Sequence, residues 1–353
     1  MKRIEIFIKN IFLKILLLLK SGSHRNISPV FNRDSKILFI RLNRIGDALV
    51  VTPLLRQIKQ SLGCKVHLLA AKSNYFVFNH NPGIDKVVVF NKGLNGFFEV
   101  LDYIRREKFD AVVDLHDDVS TTVTYLMAMC SAANKFGLEK GNGIVYTRTV
   151  EKLDAANHHV IDRILEMGKL FNLEIKKEDA NVVYCPEENS VAEIKKVLSM
   201  KFQQKKFLIG INISAGSDAR FWGIDRYKLL LQFLSVYDIN VILLCSPRDI
   251  KYGETIVDGN SDMLFYTPSF DEFAAMISQL DLLFTPDTST VHLASAYQVP
   301  VFGLYVHYNT NDMIWSPYKS DFDCVITKKP NLEDVTYTQV ITQFQPFLEK
   351  YLI

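Results

Sequence analysis

Three short stretches place reactive side chains directly after apolar runs. In the first, Asn43-Arg44-Ile45-Gly46-Asp47 follows the run 36–40 and precedes Ala48, Val51, Leu54, Leu55 and Ile58 at helical spacing. Strand, sharp turn at Gly46, then helix opens a βαβ unit, so Asp47 falls on a loop at a helix N-terminus that favours its ionised form. Taken alone, Asp47 reads as a helix cap. The second stretch is 214–222, SAGSDARFW. Ser214, Gly216 and Ser217 let backbone N–H groups approach a ligand, and Arg220 offers a fork of donors suited to phosphate. The third, Pro286-Asp287-Thr288-Ser289-Thr290-Val291-His292, is a strand end entering a helix. Free N–H groups and the dipole make such an N-terminus an anion site, and Thr288, Ser289 and Thr290 add hydroxyls.

Each element has a plain alternative. Asp287-Thr288-Ser289 fits an N-cap cluster, His292 a satisfied core histidine, and Trp222 simple packing. Two phosphate-seeking loops in one half of the chain, with a carboxylate on a loop of the other half, outweigh those alternatives together.

Other chemistries are weaker. No G-x-G-x-x-G follows the first strand, and neither a G-x-x-x-x-G-K-[ST] loop nor a G-x-S-x-G elbow is present. His116-Asp117-Asp118 and His158-His159 lack metal-ligand spacing and read as solvated loop or helix-face residues, so no metal site is assigned. Cys64, Cys130, Cys185, Cys245 and Cys324 are scattered and form no C-x-x-C pair, which points to a reducing compartment.

The elements that would position these loops alternate along the chain. Apolar runs at 36–40, 65–71, 85–90 and 110–115 read as buried strands, with helical patterns at 47–62, 94–107, 119–131 and 158–172. The second half repeats the pattern: strands at 207–213, 240–245, 282–285 and 299–305, helices at 224–236, 270–279, 289–297 and 336–351. This is an α/β protein of two doubly wound parallel sheets, which suits 353 residues. The expected layout is an N-terminal helix and linker over 1–35, one domain over 36–185, a second over 186–335, and a C-terminal helix, 336–353, packing back on the first domain. The polar stretch 174–190 is the expected link.

Charge is uneven. Residues 1–36 hold eight Lys/Arg against Glu5 and Asp34, whereas the rest holds 33 Lys/Arg against 37 Asp/Glu. A basic end on an acidic body argues against nucleic acid and for an anionic surface met by one end. On a helical wheel of residues 2–20, Phe7, Ile11, Phe12 and Leu18 fall on the apolar half and Lys2, Arg3, Lys9, Lys14 and Lys20 on the polar half. Lys9 and Lys14 leave no apolar run near the roughly 20 residues a span requires. A helix lying in the membrane interface is expected.

The stretches ILFIRLNRIGDALVVTPLL, GINISAGSDARFWGIDRY and DLLFTPDTSTVHLASAYQVPVFGLY resemble glycosyltransferase family 9, the ADP-heptose:lipopolysaccharide heptosyltransferases, over about residues 36–350. The resemblance implies a GT-B fold, two Rossmann-like domains facing across a cleft. It implies Asp47 as catalytic base, with Asn43, Arg44 and Gly46 on the acceptor side. It also places Arg220, Asp287, Thr288, Ser289, Thr290 and His292 around the donor, which the reading of Ser214, Gly216 and Ser217 as a ligand-approach loop joins. Three positions depart from the family pattern: Arg220 replaces a Lys, Ser289 a Gly, and Gly223 a Pro after the Trp.

The expected activity is inverting, metal-independent transfer of a sugar, heptose from ADP-heptose, to a lipopolysaccharide-core or related lipid-linked glycan, with no cofactor beyond the nucleotide-sugar. The expected place is the inner face of the cytoplasmic membrane, peripherally bound. A nucleotide-sugar epimerase on the same scaffold and a non-catalytic nucleotide-sugar or glycan binder are the alternatives. Donor turnover without acceptor marks the first, and binding without turnover the second.

Overall fold

The computed structural model describes residues 29–352. The expected membrane helix, with Lys2, Arg3, Phe7, Lys9, Ile11, Phe12, Lys14, Leu18 and Lys20, lies outside them. No helix among the described residues is long and apolar enough to cross a membrane.

Two units divide the chain. Among the described residues, the first comprises 29–154 and 161–180 and the second 155–160 and 181–352. The crossing at 180/181 falls within the polar stretch expected as a link. The excursion of 155–160 into the second unit is invisible in the sequence.

The first unit is built on β1 (Lys36–Arg41), β2 (Lys65–Ala71), β3 (Lys86–Phe90), β4 (Ala111–Asp114), β5 (Asn134–Leu138) and β6 (Arg148–Val150). Its order is β3-β2-β1-β4-β5-β6, all parallel. The second unit holds β7 (Leu208–Asn212), β8 (Asn240–Cys245), β9 (Leu264–Tyr266), β10 (Leu282–Pro286), β11 (Val301–Val306) and β12 (Phe322–Thr327). Here the order is β12-β11-β10-β7-β8-β9, again all parallel. The strand order of the first sheet is thus repeated in the second. Each sheet reverses direction once, between β1 and β4 or between β7 and β10, and open α/β sheets bind ligands outside the carboxyl ends of strands at such a point. The two doubly wound parallel sheets expected from the sequence are present.

Several local expectations are corrected. Gly46 does not form a separate sharp turn before the helix; it sits in the first turn of a short helix, Ile45–Leu49. The expected helix 47–62 breaks and resumes at Thr52–Leu62, because Pro53 has no N–H for the Leu49 carbonyl. The Thr52 hydroxyl donates to that carbonyl instead, at 2.7 Å. The expected helix 158–172 is α-helical only over Val160–Leu165 and then tightens to a 3-10 turn over Glu166–Phe171. Residues 21–35 are not all linker: Phe31 is buried, its ring 5.1 Å from Phe171 and 6.0 Å from Phe136.

The C-terminal helix, Tyr337–Glu349, starts with a capping box between Thr336 and Gln339. Its apolar face packs within the second unit. Phe344 packs in the core of the second unit, 5.3 Å from Phe284 and 5.0 Å from Phe302. Burial of each such ring contributes about 1.5–3 kcal/mol, which fixes the helix to that sheet.

Candidate active site

In the first unit, the exits of β1 and β4 hold a buried charge cluster. Arg41, the last residue of β1, is completely buried beneath the loop that follows. Its Nη2 lies 2.7 Å from Asp47 Oδ1, its Nε donates to the Asp47 carbonyl at 3.0 Å, and its Nη1 donates to the Leu115 carbonyl. Asp47 is thus in the first turn of a helix, as expected, but its carboxylate does not cap it. The N-cap is Arg44, which makes no side-chain cap bond. The Asp47 side chain keeps 18% of its surface open to solvent, so one face of the carboxylate is held and the other is accessible. Asn43 and Arg44 are exposed, and Gly46 is half-buried. Asn74 steadies this loop by donating to the Asn43 carbonyl at 2.9 Å and the Arg41 carbonyl at 3.2 Å.

A second group, missed from the sequence, lies beside it. Asp114 ends β4 and is fully buried. It receives His116 Nδ1 at 2.6 Å on Oδ1, with Lys140 Nζ at 2.9 Å and the Tyr146 hydroxyl at 2.6 Å on Oδ2. Burial alone would raise the Asp114 carboxyl, but these partners, His116 first, hold it well below the usual range. Burial lowers the His116 pKa, an effect opposed by its bond to Asp114. The solvated-loop reading of His116 is therefore corrected, since its imidazole is sealed in the core of the strand exits. His159 is likewise buried, bonded to the Ser316 carbonyl at 3.1 Å and stacked on Tyr318. Arg41 and Asp114 share one legible signal: a charged residue closes an otherwise apolar run at the reversal point of the sheet.

The second unit gathers the donor candidates at its own reversal point. Ser214 follows β7, but its hydroxyl donates to Asp249 Oδ2 at 2.5 Å and accepts the Ser246 N–H at 2.8 Å. Both bonds tie strand exits together, leaving the side chain committed rather than free for a ligand. Gly216 and Ser217 are exposed, and a Cβ placed on Gly216 would meet nothing within 4 Å. Arg220 Nη2 lies 2.9 Å from Asp287 Oδ2, just past β10. Asp287 therefore sets the guanidinium rather than offering a ligand contact of its own sign. Burial raises the Asp287 carboxyl, partly countered by Arg220.

Thr288 is the N-cap of the helix Ser289–Tyr297, and its side chain makes no cap bond. The N-cap-cluster reading thus finds no support in the Thr288 hydroxyl. Thr290 is buried, its hydroxyl 3.4 Å from Asn212 Nδ2. His292 is buried too, its ring 5.9 Å from Trp315, and its Nδ1 finds no partner among the described residues. Burial lowers its pKa to about 3. Trp222 is core: it is fully buried and donates to the Val335 carbonyl at 2.8 Å.

The sequence matches the pattern of glycosyltransferase family 9 (heptosyltransferase) over residues 98–344. The chain belongs to glycosyltransferase family 9. It is accordingly a glycosyltransferase, as the three motif stretches led one to expect. A curated relative in this family is the lipopolysaccharide core heptosyltransferase OpsX of Haemophilus influenzae, 21% identical over 80% of this chain and 82% of its own. Among solved structures, a family 9 glycosyl transferase from Veillonella parvula superposes with a TM-score of 0.79 at 19% identity, over 92% of this chain and all of its own. The Escherichia coli heptosyltransferase WaaC, solved with ADP, gives 0.68 at 14% identity, over 90% and 99%. Family 9 architecture thus accounts for both sheets.

Proposed function

We propose that this family 9 enzyme transfers a heptose from ADP-heptose to a hydroxyl of a lipopolysaccharide-core glycan, with inversion and without need of a metal. The observation that carries the reading is the Asp47 carboxylate, steered by buried Arg41 at the reversal point of the first sheet and open to solvent on its other face. The names of the relatives, a lipopolysaccharide core heptosyltransferase and a heptosyltransferase with ADP, support the sugar, the acceptor class and the nucleotide.

The acceptor hydroxyl lies at Asp47, near Asn43, Arg44 and Gly46. A carboxylate is a far weaker base than an alkoxide, so it takes the proton late, as the anomeric carbon gains oxocarbenium character. The larger contribution comes from neutralising the departing diphosphate. Arg220, the open backbone at Gly216–Ser217 and the helix start at Thr288–Thr290 supply that charge and those donors, which makes a metal unnecessary to the scheme. His292 lines the same helix start. Attack opposite the leaving group inverts the anomeric carbon.

The basic amphipathic stretch 2–20 holds the enzyme on an anionic leaflet beside a lipid-linked acceptor. Because Phe31 is part of the core, the truncation that tests this removes residues 2–28 and no more. It should release the protein from anionic vesicles with its melting point unchanged; continued sedimentation with vesicles defeats the anchor.

The test of the chemistry is transfer from ADP-heptose to a heptose-deficient lipopolysaccharide core by wild type and Asp47→Asn. Loss of kcat by about 10² or more, with ADP affinity intact, is expected for a general base. Near-normal kcat in the variant would remove Asp47 from the reaction.

A further inference from the structure

At the reversal point of the first sheet, the ladder between β1 and β4 ends with the Leu115 N–H donating to the Ile40 carbonyl at 3.1 Å. The strands then part, and side chains take over. Arg41 Nη1 occupies the Leu115 carbonyl, and the Leu42 N–H donates to His116 Nε2 at 3.1 Å. Since Nε2 accepts, the proton sits on Nδ1, where it donates to Asp114. Asp114 in turn receives the His116 backbone N–H at 2.9 Å and binds Lys140 and Tyr146. Lys140, just after β5, also donates to the His116 carbonyl at 2.6 Å. Three strand exits are therefore joined through the buried Asp114–His116 pair.

We infer that His116, oriented by Asp114, is a positioning residue for the transfer step: it clamps the Leu42 amide and so fixes the five-residue path from there to Asp47. The inference rests on the reading of Asp47 as base. The clamp matters because a carboxylate misplaced by about 1 Å can cost roughly 10² in rate, and strand pairing stops short of this segment, at Arg41–Ala70 with β2 and at Ile40–Leu115 with β4. The contacts of His116 lie on Leu42, Asp114 and Lys140 and not on the Asp47 carboxylate, so its effect should fall on turnover.

The experiment compares His116→Gln, whose amide can still accept from Leu42 and donate to Asp114, with His116→Leu, which fills the space and can do neither. With ADP-heptose and core acceptor, Leu should lower kcat by about 10², while ADP affinity and donor KM stay within about twofold. Gln should recover most of the loss. Should Leu fail to fold, Tyr146→Phe serves: removing one donor to Asp114 should lower kcat by severalfold with the same unchanged donor KM. Asp47→Asn run alongside separates the two ideas. An inactive Asp47→Asn with a fully active folded Leu variant, or a fully active Tyr146→Phe where Leu does not fold, overturns the clamp and leaves the base in place. A fully active Asp47→Asn overturns both. A Leu variant whose donor KM rises in step with its kcat loss also counts against the clamp, since general loosening would then explain it.

Discussion

Arg220 and Asp287 leave the second sheet from different strands, β7 and β10, and their side chains meet at 2.9 Å. The pair therefore closes over the point where the strand order reverses, and the guanidinium is held there in one orientation. Positive charge is delivered there in a fixed direction instead of on a free arm, and the acid is the cost of that direction.

Asp287→Asn should separate function from stability. Burial holds the Asp287 carboxyl above its ordinary value, so just above the unfolded pKa the folded state binds more protons, and stability falls as pH rises through the folded value. Asn removes that penalty. The variant should melt no lower than wild type at pH 7, yet its donor KM should rise about tenfold as Arg220 loses its guide, close to the low end of the roughly 1.5–3 kcal/mol of a hydrogen bond to a charged group. Tighter ADP binding by the variant would mean that Asp287 merely repels phosphate.

His292 predicts an acid response. Its pKa of about 3 in the folded protein lies below the unfolded value of roughly 6.5. Between those limits the unfolded chain binds the extra proton, so the contribution is intact above pH 6.5 and is lost as pH falls toward 3, by up to about 1.4 kcal/mol per pH unit. His292→Gln should be less stable than wild type at pH 7, and the gap should narrow steadily at pH 5.5 and 4.5 in urea titrations. A gap independent of pH would show that His292 does not titrate this way.

Gly216 offers a cleaner probe of the donor loop. Its φ is not in the left-handed region and a side chain there meets open space, so Gly216→Val should leave the melting point within about 1 °C. If the diphosphate lies against this backbone, ADP affinity should drop at least tenfold by calorimetry. Unchanged affinity would move the diphosphate elsewhere. Gly210, in β7, is the opposite case, since an added Cβ would collide with Leu280 in the core.

The sequence was most legible where one physical rule governs. Apolar runs gave β2 and β8 to the residue, and the helices Leu94–Glu107 and Ser289–Tyr297 likewise. Short strands with polar interruptions, Asn134–Leu138 and Phe322–Thr327, carry no such run and went unseen, as did Glu188–Lys201, whose charged composition resembles a link. Asp47 stood out by its place after a strand. Its partner Arg41 and the Asp114–His116 pair did not, because their roles depend on which strands are neighbours, and adjacency of β1 to β4 is decided by the crossover and not by any local pattern. Ser214 shows the converse: composition marked it as a ligand contact, whereas tertiary bonds had already engaged its hydroxyl.

The brief passage of residues 155–160 into the second unit has a practical consequence. There the Ala155 carbonyl accepts the Met313 N–H at 2.7 Å and His159 lies on Tyr318, so the polypeptide changes sides three times, at 154/155, 160/161 and 180/181. Neither half is a continuous piece of gene. A fragment beginning at 181 would lack a segment it needs, and one ending at 180 would carry a six-residue loop with nothing to rest on. A protease nick at any single crossing would leave the halves still tethered, and because the two units alternate along the chain, no single truncation frees either of them intact.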